Sequence, residues 1–190
     1  KRFMAFQDIL DSIYTEVLQV ENTGKAADYI PELGKVNADK YGIALVDKYQ
    51  NVFTKGDADE KFSIQSISKV ITTALIFSKI GNDLWKRVGK EPSGNAFNSL
   101  IQLEFEKGIP RNPFINAGAL VIADLMLEHF ENPKEYLLNF VRELSENPTL
   151  NYNQNVIQSE TENGFRNAAL VNFIKSFGNI KHKPEEVLDF

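Results

Sequence analysis

The feature of this sequence that most limits its fold is a change of pattern at about residue 65. Before that point lie one helical pattern and all the strand-like segments, and after it the apolar residues recur at three- and four-residue steps. Two or three strands are too few for a stable sheet of their own, so helices must cover them or more strands must join them. The sequence predicts a helix-rich α+β chain, with the first strands in residues 1–65 and a mainly helical part in residues 66–190.

Each part is predicted in more detail from its local signals. The first part should hold a helix from Phe6 to Leu18, two strands at 41–47 and 51–55, and a short third extended segment at 62–65. The second part should hold five helices, and the Pro184 segment opens a sixth with proline at its first position. The five predicted helices cover residues 68–80, 98–106, 117–130, 133–144 and 167–177.

Charge and composition exclude several classes of function. Lys and Arg number 21 against 26 Asp and Glu, for a net charge of −5, and no long basic run is present, so nucleic acid is not expected as a partner. The apolar stretch after Lys69 is broken by polar residues well short of the roughly 20 apolar residues that span a bilayer, so no membrane segment is expected. The chain has no cysteine, which excludes disulfides and thiolate metal sites and suits the cytoplasm.

The segment FSIQSISKV, residues 62–70, contains the one motif that suggests catalysis. Lys69 follows Ser66 by three residues, and in a helix that begins at about Ser66 the two side chains share a face. A serine hydroxyl needs an adjacent base to act as a nucleophile, and burial can lower the pKa of a lysine enough for it to serve. The apolar residues expected to bury this lysine are Val70, Ile71, Ala74 and Leu75.

The same letters also fit a non-catalytic helical binding module. Ser66 could simply cap the helix while Lys69 extends into solvent, in which case its pKa would be that of an ordinary lysine. Ser63 and Ser68 are the rival nucleophiles, but neither has a lysine three residues later. With two histidines in the chain and His182 in an exposed-looking Lys-His-Lys run, a Ser-His-Asp triad is not expected.

Five longer blocks give the motif its context. They are GKAADYIPELGKV at 24–36, FSIQSISKV at 62–70, LWKRVGKEPSGNAFNSLIQLE at 84–104, KGIPRNPFINAGAL at 107–120 and QSETENGFRNAAL at 158–170. In order and spacing these blocks resemble the serine-dependent glutaminases. The resemblance implies a fold similar to serine β-lactamases and penicillin-binding proteins, with the later strands of the sheet missing from this chain.

The resemblance also implies a reaction, the hydrolysis of L-glutamine to L-glutamate and ammonia. Ser66 would be the nucleophile that forms a glutamyl ester, and Lys69 the general base. Neither a metal nor an organic cofactor is expected by this route. A penicillin-recognising serine hydrolase or peptidase remains the alternative among enzymes, because it would use the same pair of side chains.

Five further residues match substrate-binding positions of the family. The resemblance implies that Glu160 holds the α-ammonium of glutamine, that Asn116, Asn167 and Tyr29 hold its α-carboxylate, and that Gln65 lines the pocket beside the nucleophile. Each also has an ordinary alternative: a solvated carboxylate for Glu160, helix caps for the two asparagines, packing on a neighbouring proline for Tyr29, and an edge-strand polar group for Gln65.

The family also suggests properties of the whole protein. Its members form dimers or tetramers, so a homo-oligomer is expected, in the cytoplasm. Full-length relatives continue past the position of Phe190 with further strands, two tyrosines and an oxyanion-hole N–H group. We therefore expect residues 1–190 to have little or no glutaminase activity alone, because losing even one oxyanion donor costs about a hundredfold or more in rate.

Overall fold

The computed structural model describes residues 5–94 and 99–190. The chain divides into two compact units, Lys1–Ser63 and Ile64–Phe190. Among the described residues, no helix is both long enough and apolar enough to cross a membrane.

The first unit contains helix α1 (Phe6–Val17) and a hairpin of strands β1 (Gly42–Val46) and β2 (Val52–Gly56). The strands pair antiparallel, with Gly42 opposite Gly56 and Val46 opposite Val52. The carboxylate of Asp47 accepts the N–H groups of Tyr49 and Asn51 at 2.8 and 3.0 Å, which closes the turn. The predicted helix and both predicted strands are confirmed, with ends that differ by one residue or so.

Helix α1 contacts β2 through its apolar face. The rings of Phe6 and Phe53 lie 5.6 Å apart, and those of Tyr14 and Tyr41 stack at 5.3 Å. Such aromatic pairs add about 0.5–1.5 kcal/mol beyond the area they bury. The helix therefore covers one side of a hairpin that would be marginal alone.

The prediction of a third extended segment at residues 62–65 is wrong. The two strands β1 and β2 are the only ones among the described residues, and Ile64 has helical dihedral angles, φ −69° and ψ −16°. A 3₁₀ turn, Gln65–Ile67, then leads into the next helix. A four-residue alternation of apolar and polar residues is too short to distinguish a strand from the approach to a helix, so the pattern misled the prediction.

In the second unit, all the regular secondary structure of the described residues is helical. Two predicted helices have the predicted ends, and two others differ by one or two residues; residue 98 lies outside the described residues, and the helix expected there begins at Leu100. The helices are α2 (Ser68–Ile80), α3 (Leu100–Phe105), α4 (Asn116–His129), α5 (Pro133–Leu144), α6 (Gln154–Asn163), α7 (Phe165–Ser176) and α8 (Pro184–Asp189).

Helix α4 lies at the centre of the second unit. Its residues 117–126 are buried with one half-buried exception, because the helix is apolar on nearly every face. It contacts α2, α7 and α8, and the core around it includes Ile76 from α2 and Val171 and Ile174 from α7. Each such side chain contributes about 1.5–3 kcal/mol by leaving water. This packing fixes the first turn of α4 beside the first turns of its neighbours, which sets up the site.

Candidate active site

Ser66 lies in the 3₁₀ turn that immediately precedes α2, and it is exposed. Gln65, just before it, has a φ of +42°, in the left-handed region that residues other than glycine seldom adopt. The hydroxyl of Ser68 donates to the carbonyl oxygen of Gln65 at 2.7 Å and ties this turn to the start of α2. The candidate nucleophile is therefore accessible and sits on a turn with an unusual backbone.

Lys69 is the second residue of α2 and is half-buried. Its Nζ donates to Oδ1 of Asn116 at 2.8 Å. Burial lowers the pKa of the Lys69 amine below its ordinary value. Among the described residues no carboxylate forms an ion pair with this amine, and its partner is a neutral amide, so no opposite charge compensates the buried ammonium form.

The four residues expected to bury Lys69 differ in their own burial. Leu75 is buried and Ile71 is half-buried, whereas Val70 and Ala74 are exposed. The residues that share its face lie three, four and seven positions later, and these are buried: Thr72, Thr73 and Ile76. The prediction from sequence followed proximity along the chain, whereas a helix places neighbours at three- and four-residue steps.

Asn116 and Asn167 are brought together in the structure. Nδ2 of Asn116 donates to Oδ1 of Asn167 at 3.3 Å, while its Oδ1 accepts from Lys69. Neither asparagine acts as a helix cap: Ile115 precedes α4 and Gly164 precedes α7 in the cap positions. Both amides are therefore available for the site, which is evidence against the ordinary alternative weighed for them.

Two residues that the sequence analysis did not single out hold Asn116 in place. Oδ1 of Asn112 accepts the N–H groups of Phe114 and Ile115 at 3.0 and 3.2 Å, shaping the turn into α4. A Cβ on Gly118 would lie 2.0 Å from the carbonyl oxygen of Asn112, so only glycine allows this approach. The Asn-Ala-Gly sequence at 116–118 was the available signal, although it does not reveal which backbone approaches.

Glu160 and Gln65 form the second contact of the site. Nε2 of Gln65 donates to Oε1 of Glu160 at 3.0 Å, across 95 positions of sequence. Glu160 is half-buried on α6, and Gly164 turns the chain from α6 into α7. A Cβ on Gly164 would lie 2.8 Å from the carbonyl oxygen of Glu160, so this corner also requires a small residue.

The structure thus joins five of the seven predicted site residues by hydrogen bonds, in two groups. Lys69, Asn116 and Asn167 form one group, and Gln65 and Glu160 form the other. Ser66 lies between the groups along the chain, next to Gln65 and three residues before Lys69; no hydrogen bond joins its hydroxyl to that amine in the described part of the chain.

Tyr29, the seventh predicted site residue, belongs to the first unit and is exposed. Its role stays a prediction.

Within residues 5–94 and 99–190, no three His, Cys, Asp or Glu side chains are grouped as metal ligands. The chemistry that the described residues can supply is that of a serine hydroxyl, an amine whose charge is disfavoured, a carboxylate and a set of amides. This combination suits attack on a carbonyl carbon and recognition of a small zwitterion.

Comparison with known proteins shows which family the chain resembles. The glutaminase family model matches residues 24–190. A glutaminase of Christiangramia forsetii is 52% identical over 187 residues, which is 98% of this chain. The solved structure of the probable glutaminase ybaS is 32% identical and superposes with a TM-score of 0.88 over 96% of this chain. The structure of Mglu in its glutamate form is 30% identical, with a TM-score of 0.87 over 99% of this chain.

The chain spans only part of these proteins. It covers 62% of the Christiangramia forsetii glutaminase, 59% of ybaS and 43% of Mglu. The structural neighbours are glutaminases of the β-lactamase-like fold, which confirms the predicted fold class.

Proposed function

Because the chain belongs to the glutaminase family, we propose that it carries the nucleophile, the base and part of the substrate site for hydrolysing L-glutamine to L-glutamate and ammonia. The observation that carries this proposal is the environment of Lys69. Its amine is half-buried, donates to a neutral amide and has a lowered pKa, which are the conditions a lysine needs to act as a base.

The first half of the reaction is acylation. As Oγ of Ser66 attacks the carboxamide carbon, the uncharged Lys69 amine takes the hydroxyl proton and the carbonyl electrons move onto oxygen. The tetrahedral intermediate collapses, the C–N bond breaks, and Lys69 returns the proton to the departing nitrogen. Ammonia leaves, and the glutamyl group remains as an ester on Ser66.

The second half is hydrolysis of that ester. Lys69, uncharged again, takes a proton from a water molecule whose oxygen attacks the ester carbon. The C–O bond to Ser66 then breaks and the proton passes to its Oγ, which releases glutamate and restores the enzyme. The hydrogen bond from Lys69 to Asn116 leaves the nitrogen lone pair available in both halves.

Recognition of the substrate uses opposite charges and amide donors. Glu160 is proposed to bind the α-ammonium, since a carboxylate offers about four acceptor positions and can accept from Gln65 and an ammonium together. The second hydrogen on Nδ2 of Asn116, together with Asn167 and Tyr29, is proposed to bind the α-carboxylate. The roles of Glu160, Asn116 and Asn167 are supported by the family resemblance and by the contacts of their side chains, and that of Tyr29 by the family resemblance alone.

The proposal is tested by glutamine hydrolysis in the whole protein, with Ser66→Ala as the critical variant. We expect ammonia release in the wild type and its loss in Ser66→Ala, and mass spectrometry of acid-quenched enzyme should detect a glutamyl adduct on the peptide that carries Ser66. Ser78→Ala is the matched control, an exposed serine on α2 that should leave the rate unchanged. Turnover that survives Ser66→Ala would refute the proposed nucleophile.

A parallel assay with a β-lactam distinguishes the proposed glutaminase from a penicillin-recognising hydrolase. A penicillin-recognising hydrolase would be acylated by a β-lactam at Ser66 and would show no preference for an α-ammonium, whereas the proposed glutaminase requires Glu160. A homo-oligomeric state, a cytoplasmic location and the lack of activity of residues 1–190 alone stay proposals. Light scattering on the whole protein tests the first of them.

A further inference from the structure

Gln65 combines an unusual backbone conformation with two hydrogen bonds, one through its carbonyl oxygen and one through its side chain. Its backbone is left-handed, with φ +42°, its carbonyl accepts from the Ser68 hydroxyl at 2.7 Å, and its side chain donates to Glu160 at 3.0 Å. The residue that follows it is the candidate nucleophile, Ser66. Gln65 therefore lies directly between the carboxylate of α6 and the turn that carries the serine hydroxyl.

The left-handed backbone at this position is costly for glutamine. Only glycine adopts it freely, and other residues keep it where the surrounding structure holds them there, often at functional sites. In the described part of the second unit, Lys107 and Glu146 are the other non-glycine residues with positive φ, and both follow the ends of helices. A glycine at position 65 would relieve the strain but would lose the contact with Glu160.

We infer that Gln65 is a positioning residue that couples recognition of the substrate's α-ammonium at Glu160 to the placement of the Ser66 hydroxyl. The inference rests on the proposed function and deepens it. The carboxylate of Glu160 already accepts from the Gln65 amide, and an ammonium bound at Glu160 reinforces that orientation and, through the amide, the strained turn. In a complex that lacks the ammonium this hold on Gln65 is weaker, so its backbone relaxes more often and Ser66 moves with it.

This coupling has a kinetic consequence that simple binding does not have. If Glu160 only contributed affinity, a substrate without the α-ammonium would have a raised KM and an unchanged kcat. With the coupling, the same substrate also loses kcat, because the nucleophile is misplaced in the bound complex. The loss of kcat should depend on Gln65.

The experiment compares two substrates in the whole protein: L-glutamine and the analogue with hydrogen in place of its α-ammonium, 4-carbamoylbutanoate. In the wild type we expect kcat for the analogue to be at least tenfold lower. In Gln65→Gly, kcat for glutamine should fall about tenfold, to near the analogue's value, while kcat for the analogue changes less than threefold. The ratio of the two kcat values should therefore approach one, while the KM difference between the substrates remains.

Stability provides a readout that a merely structural role would not give. Gln65→Gly should lower kcat while it leaves the midpoint of thermal unfolding little changed, because relief of the positive φ offsets the lost contact with Glu160 and the greater freedom of the unfolded chain. Lys107→Gly is the matched control and should raise the midpoint with kcat unchanged. Gln65→Asn, which tolerates the left-handed region but is too short to reach Glu160, should lower kcat for glutamine as Gln65→Gly does.

The outcomes separate the inference from the proposed function. If Glu160→Gln abolishes the preference for glutamine but Gln65→Gly lowers kcat for both substrates by the same factor, or for neither, the inference is overturned and the proposed function stands. If the whole protein does not hydrolyse glutamine, or Glu160→Gln leaves the preference unchanged, the proposed recognition fails and the inference fails with it.

Discussion

Two polar clusters in the helical unit both lower a pKa, with opposite effects on charge. One surrounds Lys69 in the candidate site, and the other surrounds Asp124, a fully buried residue of α4. A lowered pKa keeps a carboxylic acid such as Asp124 ionised, but it makes an amine such as Lys69 easier to deprotonate. The protein thus maintains one charge in its interior and disfavours another, using helices of the same core.

The cluster around Asp124 compensates the charge it buries. Burial by itself would raise the pKa of Asp124, but hydrogen bonds from the His182 backbone N–H, the Arg87 guanidinium, the His182 ring and the Lys181 backbone N–H together outweigh it. The contact with Arg87 is 2.6 Å long. His182, which the sequence placed at the surface, is in fact half-buried with Nδ1 2.8 Å from Asp124.

The cluster around Lys69 offers no such compensation. Its partner is the neutral amide of Asn116, which in turn contacts another neutral amide, that of Asn167. Comparison of the two clusters indicates that burial destabilises the charged form of a side chain, and that a partner of opposite charge or strong hydrogen-bond donors are needed to offset this effect. Substitutions in each cluster can test this difference.

The largest effect is expected from removing the base. Lys69→Met, similar in length but without an amine, should lower kcat/KM for glutamine by at least about a thousandfold, and Lys69→Arg should lose activity as well because guanidinium stays protonated. Steady-state kinetics on the whole protein measure this. Activity within tenfold of the wild type in either variant would show that Lys69 is not the base.

Removal of the compensated charge should affect stability instead of chemistry. Asp124→Asn leaves Arg87 without its buried anion and should cost about 3–5 kcal/mol in the free energy of unfolding, measured by denaturant titration. Asp83→Asn is the matched control: it removes an exposed ion pair with Lys86 and should not change stability measurably. Equal effects of the two variants would refute the structural role assigned to Asp124.

The difference between the two clusters should disappear if Lys69 is given a charged partner. Asn116→Asp places an anion beside the amine, which should raise the pKa of Lys69 and move the rising limb of the pH–rate profile to higher pH. If the limb moves up by one pH unit, the rate at neutral pH should fall about tenfold. Asn172→Asp, at an exposed position on α7, is the control and should leave the profile in place. An unchanged profile in Asn116→Asp would mean that the partner's charge does not set the pKa of the base.

The smallest effect concerns acid stability. The folded-state pKa of Asp124 is below its unfolded value of about 3.9, so its contribution is complete above that pH and is lost as the pH falls through the folded-state value. The stability difference between wild type and Asp124→Asn should stay constant above about pH 5 and shrink below about pH 4. A difference that persists undiminished in strong acid would show that Asp124 is not ionised by this network.

The fold could be predicted wherever one local signal was strong. Residues 68–80 and 133–144 were predicted with the ends they have, since the first is strongly periodic and the second begins with proline. Helix α6 was missed because it is polar, with Val156 and Ser159 as its buried residues and its start set by the Asn153 side chain. Residues 62–65 were mistaken for a strand because four alternating residues fit either structure.

The site could be predicted as a set of residues but not as an arrangement. The family blocks supplied Ser66, Lys69 and their partners, whereas the contacts between them join residues 47, 51 and 95 positions apart. The left-handed backbone of Gln65 has no signal in the sequence, since glycine or asparagine would be the expected marker. The contact between Asp124 and His182 could not be predicted either, because 58 positions of sequence separate the two residues.

The most direct test of the proposed chemistry is the pKa of Lys69 itself, measured in the whole protein by NMR titration of the lysine ¹³Cε resonances. The resonance is assigned by its absence in Lys69→Arg, and Asn116→Asp serves as the comparison. We expect a midpoint for Lys69 below the ordinary value of about 10.4 and a higher midpoint in Asn116→Asp. A midpoint at or above about 10.4 in the wild type would contradict the proposal, because the amine near Ser66 would then be an ordinary charged lysine.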